Sequence, residues 1–191
     1  MENGKTCLCD LKHSVPDNTQ LKTIEEPNFK RSLFSKGVIL CEGSTEFFTV
    51  PILLRKLNLN LEDNEIELIN MRSDSGFNKY IDIYEKSKIP WVVVGDKKAK
   101  MSIEPLLFNT NENKIHLFPE DDLGEYLARS FEDIFNEIHP NQYGEWKKGN
   151  LKKVSVDVCI DIAEKATSKD IEKVQGLTEL KDRINTNLIN Q

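Results

Sequence analysis

The sequence predicts an α/β protein, a parallel four-stranded sheet flanked by helices with further helices at the C-terminal end. Three observations carry that expectation. Apolar runs of four or five residues recur at Gly37–Cys41, Ile66–Ile69, Trp91–Gly95 and Lys114–Phe118. They are too short for helices and are what a strand buried on both faces produces. Stretches with helical spacing separate the runs, and three of the four runs end in acids: Glu42, Asp96 and the triplet Glu120-Asp121-Asp122.

Taken in order, residues 1–32 are polar, interrupted by Pro16 and Pro27, and show no sustained period, which reads as a linker or a remnant of a preceding domain. The first run passes through the tight turn Glu42-Gly43-Ser44 into an apolar helical stretch reaching Leu57. Gly76–Tyr84 has the spacing of a second helix, and Leu123–Ile138 that of a third. Beyond Gly149, Leu151–Ala166 and Gly176–Ile189 read as two C-terminal helices. The division that follows is a core over residues 33–145 and a C-terminal helical segment over residues 146–191. Strands alternating with helices imply right-handed crossovers, and such sheets gather their working groups at the carboxyl ends of the strands.

Composition narrows the function. A chain of 191 residues, 38% hydrophobic and 30% charged, suits one buried core with a well-solvated surface. The net charge of -6 argues against a protein that coats nucleic acid through bulk charge, although a local basic surface would suffice for an enzyme acting on it. No apolar run approaches the roughly 20 residues needed to cross a bilayer, and the first residues are too polar for a signal peptide, so a cytoplasmic location with no membrane contact is expected. Cys7 and Cys9 form a C-x-C pair without the second pair of a zinc site, whereas Cys41 and Cys159 lie in apolar stretches and read as small core residues. His13, His116 and His139 are scattered, with His116 read as a packed strand residue and Trp91 as core.

Acids at three strand ends of one sheet would share a pocket, where their repulsion is costly unless a cation sits between them. Hard carboxylate oxygens suit Mg²⁺ or Mn²⁺. The plainer alternative is that each acid caps the next helix: Glu46 falls in a first helical turn, and Asp122 is a suitable N-cap. On periodicity alone the two readings stand level.

At these residues the chain resembles a known family. Phe34-Ser-Lys-Gly-Val-Ile-Leu-Cys-Glu-Gly-Ser-Thr-Glu46 is similar to the first strand and V-E-G-x-T-E signature of the TOPRIM domains of overcoming-lysogenization-defect (OLD) nucleases, with Cys41 in place of valine. Ser75-Gly76-Phe77 resembles the second loop of that family, Ile89–Asp96 its third strand and acidic turn, and Phe118–Leu123 its L-E-x-D-L segment. The resemblance implies a Rossmann-like TOPRIM fold and metal-dependent hydrolysis of DNA. It assigns Glu42 as acid or base and metal partner, and Glu46, Asp96 and Glu120 as metal ligands. Lys153 would be a catalytic lysine at the start of a helix, Lys152 and Lys98 would meet substrate, and Mg²⁺ or Mn²⁺ would be the cofactor. DNA, an ABC-type ATPase domain or subunit, and a second copy of the chain are the partners it allows.

Two departures from the pattern matter. The D-x-D motif reads Asp96-Lys97-Lys98, with a cation where a second carboxylate is expected, and no G-x-x-x-x-G-K-[ST] phosphate loop occurs in the sequence. A Mg²⁺-dependent endonuclease or nickase working with an ATPase in DNA processing or phage defence is therefore the leading expectation. A catalytically degenerate TOPRIM module for DNA binding or assembly is the alternative, and an unrelated doubly wound phosphate-ligand domain is the third.

Overall fold

The computed structural model describes residues 27–72, 77–101, 103 and 112–190; Cys7, Cys9, His13, Ser75 and Gly76, singled out above, lie outside them. Helix α1 (Pro27–Ser32) precedes strand β1 (Gly37–Cys41), α2 (Ser44–Lys56), β2 (Ile66–Asn70), α3 (Phe77–Lys86), β3 (Trp91–Gly95) and β4 (Ile115–Leu117). Six helices complete the described chain: α4 (Leu123–Ser130), α5 (Glu132–Ile138), α6 (Pro140–Lys147), α7 (Val156–Lys165), α8 (Ser168–Glu172) and α9 (Gln175–Ile184), the last running into a wide turn at Asn185–Ile189.

All pairings are parallel and the strand order is β2-β1-β3-β4. Because side chains alternate across a strand, each central strand feeds two cores. Ile39, Cys41, Val92 and Val94 face the layer built from α2, α4, α5, α7, α8 and α9. Val38, Leu40, Trp91 and Val93 face the layer holding Phe29 of α1 and Phe77, Tyr80 and Tyr84 of α3. Every residue of β1 and β3 is buried, which explains the unbroken apolar runs. The segment beyond residue 146 covers one face of the sheet: Lys56 at the end of α2 donates to the carbonyls of Glu164 and Ala166, tying α2 to the end of α7.

The strand positions and the last helix, expected over Gly176–Ile189, agree closely with the sequence reading, and the helices between residues 123 and 172 differ from it. The expected helix Leu123–Ile138 breaks at Phe131, whose backbone (φ -124°, ψ 41°) ends α4 and starts α5, so that Phe131 and Phe135 both enter the core. Helix α6 was not anticipated, although Pro140 at its first position is a recognised start signal. Tyr143 and Trp146 of α6 pack on Phe135 with ring centroids 5.7 and 5.8 Å away. The helix expected from Leu151 starts only at Val156, because the Ser155 hydroxyl caps it by accepting from Val158 N. Residues 151–155 are consequently non-helical.

Candidate metal and phosphate site

The order β2-β1-β3-β4 places the switch in connection direction between β1 and β3, where open α/β sheets bind their ligands. Glu42 leaves the end of β1 and Asp96 the end of β3. The Glu42 amide donates to Val94 O at 3.0 Å, and its Oε2 accepts from the Asp96 amide at 3.1 Å. Gly95 makes this approach feasible, since a Cβ there would stand 3.1 Å from Glu42 Oε2 and 3.0 Å from Ala99 Cβ. Asp96 Oδ1 accepts from the amides of Lys98 (2.7 Å) and Ala99 (3.2 Å), capping a short 3₁₀ turn.

Glu46, in the first turn of α2, is 95% buried and folds its Oε2 back to the Gly43 amide at 3.2 Å. A side chain on residue 43 would begin 3.3 Å from that oxygen, so glycine keeps the return path open. The capping reading of Glu46 thus holds, and it does not remove Glu46 from the site. Burial pushes its carboxyl up to about 7, a hydrogen bond from its own backbone amide opposing, and the neighbouring Glu42, Asp96 and Asp122 charges raise it further. Asp96 is also raised, first by burial, with its two amide donors opposing.

The fourth carboxylate is Asp122, not Glu120. Asp122 Oδ1 caps α4 through the Gly124 amide at 2.7 Å, while Oδ2 receives Lys153 Nζ at 2.9 Å. That pair raises the Lys153 ammonium above its ordinary range. The close approach depends on Gly124, where a Cβ would meet Cys159 Sγ at 3.1 Å and Val154 O at 3.2 Å. Glu120 instead reaches Arg129 at 3.6 Å and does not line the cleft. Its backbone carbonyl accepts from Lys97 N, which fixes the turn after β3 against the turn after β4. Sequence alone offered both acids, and only the cap and packing of α4 decide which one faces inward.

Glu42, Glu46, Asp96, Asp122 and Lys153 line one open cleft of about 610 Å³, together with Arg72 and the turn into α7. Arg72 was not foreseen. It follows β2 with φ 59°, a left-handed conformation unusual for arginine, held by the Asn70 side chain accepting from its amide at 2.9 Å. Lys98 lies at the margin, 3.8 Å from Asp121, with both side chains more than half exposed; its charge still favours ionised Asp96. Lys153 precedes the Ser155 cap instead of opening a helix, and Lys152 lines an adjoining groove.

His116, Cys41 and Cys159 take the packed roles expected. His116 is buried edge-on to Phe118 and lowered to about 4 by desolvation, so its ring is neutral. Both cysteines are buried free thiols, and burial raises each of them, Cys159 to about 12.

Residues 33–97 match the family model described as overcoming lysogenization defect protein-like, TOPRIM domain. Over that segment the chain is similar to the OLD-like TOPRIM domain. The C-terminal region of the Xanthomonas campestris pv. campestris OLD protein, in a structure phased with platinum, has a similar fold: TM-score 0.54 at 18% identity, covering 82% of this chain and 97% of that one. The C-terminal region of the Burkholderia pseudomallei OLD protein is similar at TM-score 0.54 and 16% identity, covering 78% of this chain and 98% of that one. No curated protein matches the chain. The matched TOPRIM segment contains Glu42, Glu46 and Asp96, whereas Asp122 and Lys153 come from outside it. Among the described residues no helix is long and apolar enough to cross a membrane.

The cleft offers hard oxygen donors, four carboxylates with the hydroxyls of Ser44, Thr45 and Ser155, the donor chemistry of Mg²⁺ and Mn²⁺. Among the described residues no three side chains already stand as a closed metal cage. Glu42 and Asp96 are held by amides and Asp122 by Lys153, so ligation calls for these side chains to exchange their present partners.

Proposed function

We propose that this TOPRIM domain hydrolyses DNA phosphodiester bonds with Mg²⁺ or Mn²⁺ held by Glu42, Glu46, Asp96 and Asp122. The observation that carries the reading is the convergence of these four carboxylates on one cleft, where Glu46 is 95% buried and its carboxyl is raised to about 7, first by burial and then by its acidic neighbours. A divalent cation there would supply positive charge and polarise a phosphoryl oxygen.

The residues then divide the work. Glu42, at the sheet end beside the Asp96 amide, would take a proton of the attacking water. Lys153 stands across the cleft on a flexible tether to Asp122 and faces the phosphate charge that grows in the transition state. Arg72, with Lys98 at the margin and Lys152 in the adjoining groove, supplies positive charge for neighbouring phosphates. The N-terminus of α2 adds its dipole on the same side. An ATPase domain or subunit as partner, a role in DNA processing or phage defence, and a cytoplasmic setting complete the proposal by analogy with the family.

Lys98 in place of the second D-x-D carboxylate favours one alternative, a binding module without turnover. Incubation of supercoiled plasmid with the purified protein and Mg²⁺ or Mn²⁺ separates the two. Nicked or linear plasmid from the wild type, and none from Glu42→Gln at unchanged unfolding temperature, is the expected result. DNA binding with no cutting in either metal would leave the binding module, and full cutting by Glu42→Gln would remove Glu42 from the chemistry.

A further inference from the structure

Next to the acidic cleft, and sharing Asp122, Lys153 and Val154 with it, lies a second groove of about 350 Å³ between α4, the end of α6 and the non-helical segment before α7. Its charge is opposite in sense. Arg129, Lys147, Lys152 and Lys153 line it against only Asp122 and Glu125, in a chain whose net charge is -6. From this juxtaposition we infer that the groove is a phosphate track, through which the nucleic-acid strand whose reacting phosphate sits in the cleft continues past Lys153. The inference rests on the proposed function for the identity of the strand, and on the groove's own charge for its location.

Three features favour an extended polyanion over a small anion. The groove is open and shares Asp122, Lys153 and Val154 with the cleft, so one chain can pass from one to the other. Lys152 is exposed and has no ion-pair partner among the described residues, which leaves its ammonium available to a phosphate. Arg129 and Lys147 are themselves exposed and are held by partly buried acids, Arg129 by Glu125 at 2.7 Å and Lys147 by Glu132 at 2.6 Å. Surface pairs of this kind are weak and are readily exchanged for a phosphate oxygen. Lys147 Nζ also lies over Trp146, 5.4 Å from the ring centroid, which holds the ammonium at the groove wall.

Because each lysine–phosphate contact displaces condensed counterions, the track is read from salt dependence, separately from catalysis. Binding of a fluorescently labelled duplex oligonucleotide would be measured by anisotropy in chelator, from about 50 to 200 mM salt. The double variant Lys147→Ala/Lys152→Ala should lower the slope of log affinity against log salt by about two, and Lys152→Ala alone by about one. Lys36→Ala, at the opposite end of β1 where Lys36 pairs with Glu65, should leave it unchanged. The single Lys152→Ala variant protects the test against misfolding, because removing Lys152 breaks no ion pair among the described residues. Unchanged slopes in both groove variants, an equal fall in Lys36→Ala, or no DNA binding by the wild type would each overturn the track. Plasmid cutting is scored independently: reduced slopes without any cutting would keep the track and discard the nuclease, and cutting with unchanged slopes would do the reverse.

Discussion

Glu46→Gln is expected to stabilise the metal-free protein at neutral and alkaline pH. In the fold Glu46 is 95% buried among Glu42, Asp96 and Asp122, and its carboxyl is pushed from 4.5 to about 7. An acid that is harder to ionise when folded binds more protons in the native state than in the unfolded state between those two values. Stability therefore falls as pH rises from about 4.5 to 7, and is level beyond. The difference corresponds to about 3 kcal/mol at pH 8 as an upper value, at roughly 1.4 kcal/mol for each pH unit. Glutamine is isosteric, retains an acceptor for the Gly43 amide and cannot ionise, so it removes the penalty. For a chain of this size the gain would be about 6–12 °C in unfolding temperature at pH 8, shrinking towards zero near pH 4.5. Calorimetric scans of both proteins between pH 5 and 8 in chelator would measure it. Added Mn²⁺ should stabilise the wild type and the variant much less, because the cation replaces the proton as the neutralising charge. A variant less stable than the wild type at pH 8 in chelator would refute the account of Glu46 as a carboxylate under electrostatic stress.

Three further outcomes test the remaining parts of the site. Asp122→Asn should weaken Mn²⁺ binding measured by titration calorimetry about tenfold or more, with little loss of stability since asparagine also caps helices, whereas Glu120→Gln should change it by less than about threefold; the reverse order would restore Glu120 as the ligand. Lys153→Ala should lower plasmid turnover more than DNA affinity, because a charge aimed at the transition state acts on the chemical step, and equal losses would make Lys153 a plain binding residue. Gly95→Ala should destabilise the protein by about 1–3 kcal/mol in denaturant titration and reduce turnover, since the added methyl group meets both Ala99 and the Glu42 carboxylate; a neutral result would show that Glu42 has room to move.

What the sequence determined by itself was the part written in local patterns. The runs at β1 and β3 are apolar at every position because both faces of those strands are covered, and that leaves a continuous signal whose end is unmistakable. Glu42 and Asp96 were legible for that reason, and Glu46 because its place in a first helical turn is set by four residues of spacing. The tertiary structure alone decided the rest. Glu120 and Asp122 are separated by one residue, and the inward choice depends on the α4 cap and on how closely Gly124 lets α4 approach Val154 and Cys159, which are distant in sequence. Lys153 acquires its position because the chain stays extended until Ser155, a boundary hidden inside a stretch that reads as helix. Arg72 enters the cleft through a left-handed turn that no residue type announces. Strand ends are encoded by neighbours along the chain, whereas the direction of a loop side chain is encoded by whatever packs against the loop, and that information is spread over residues far apart in sequence.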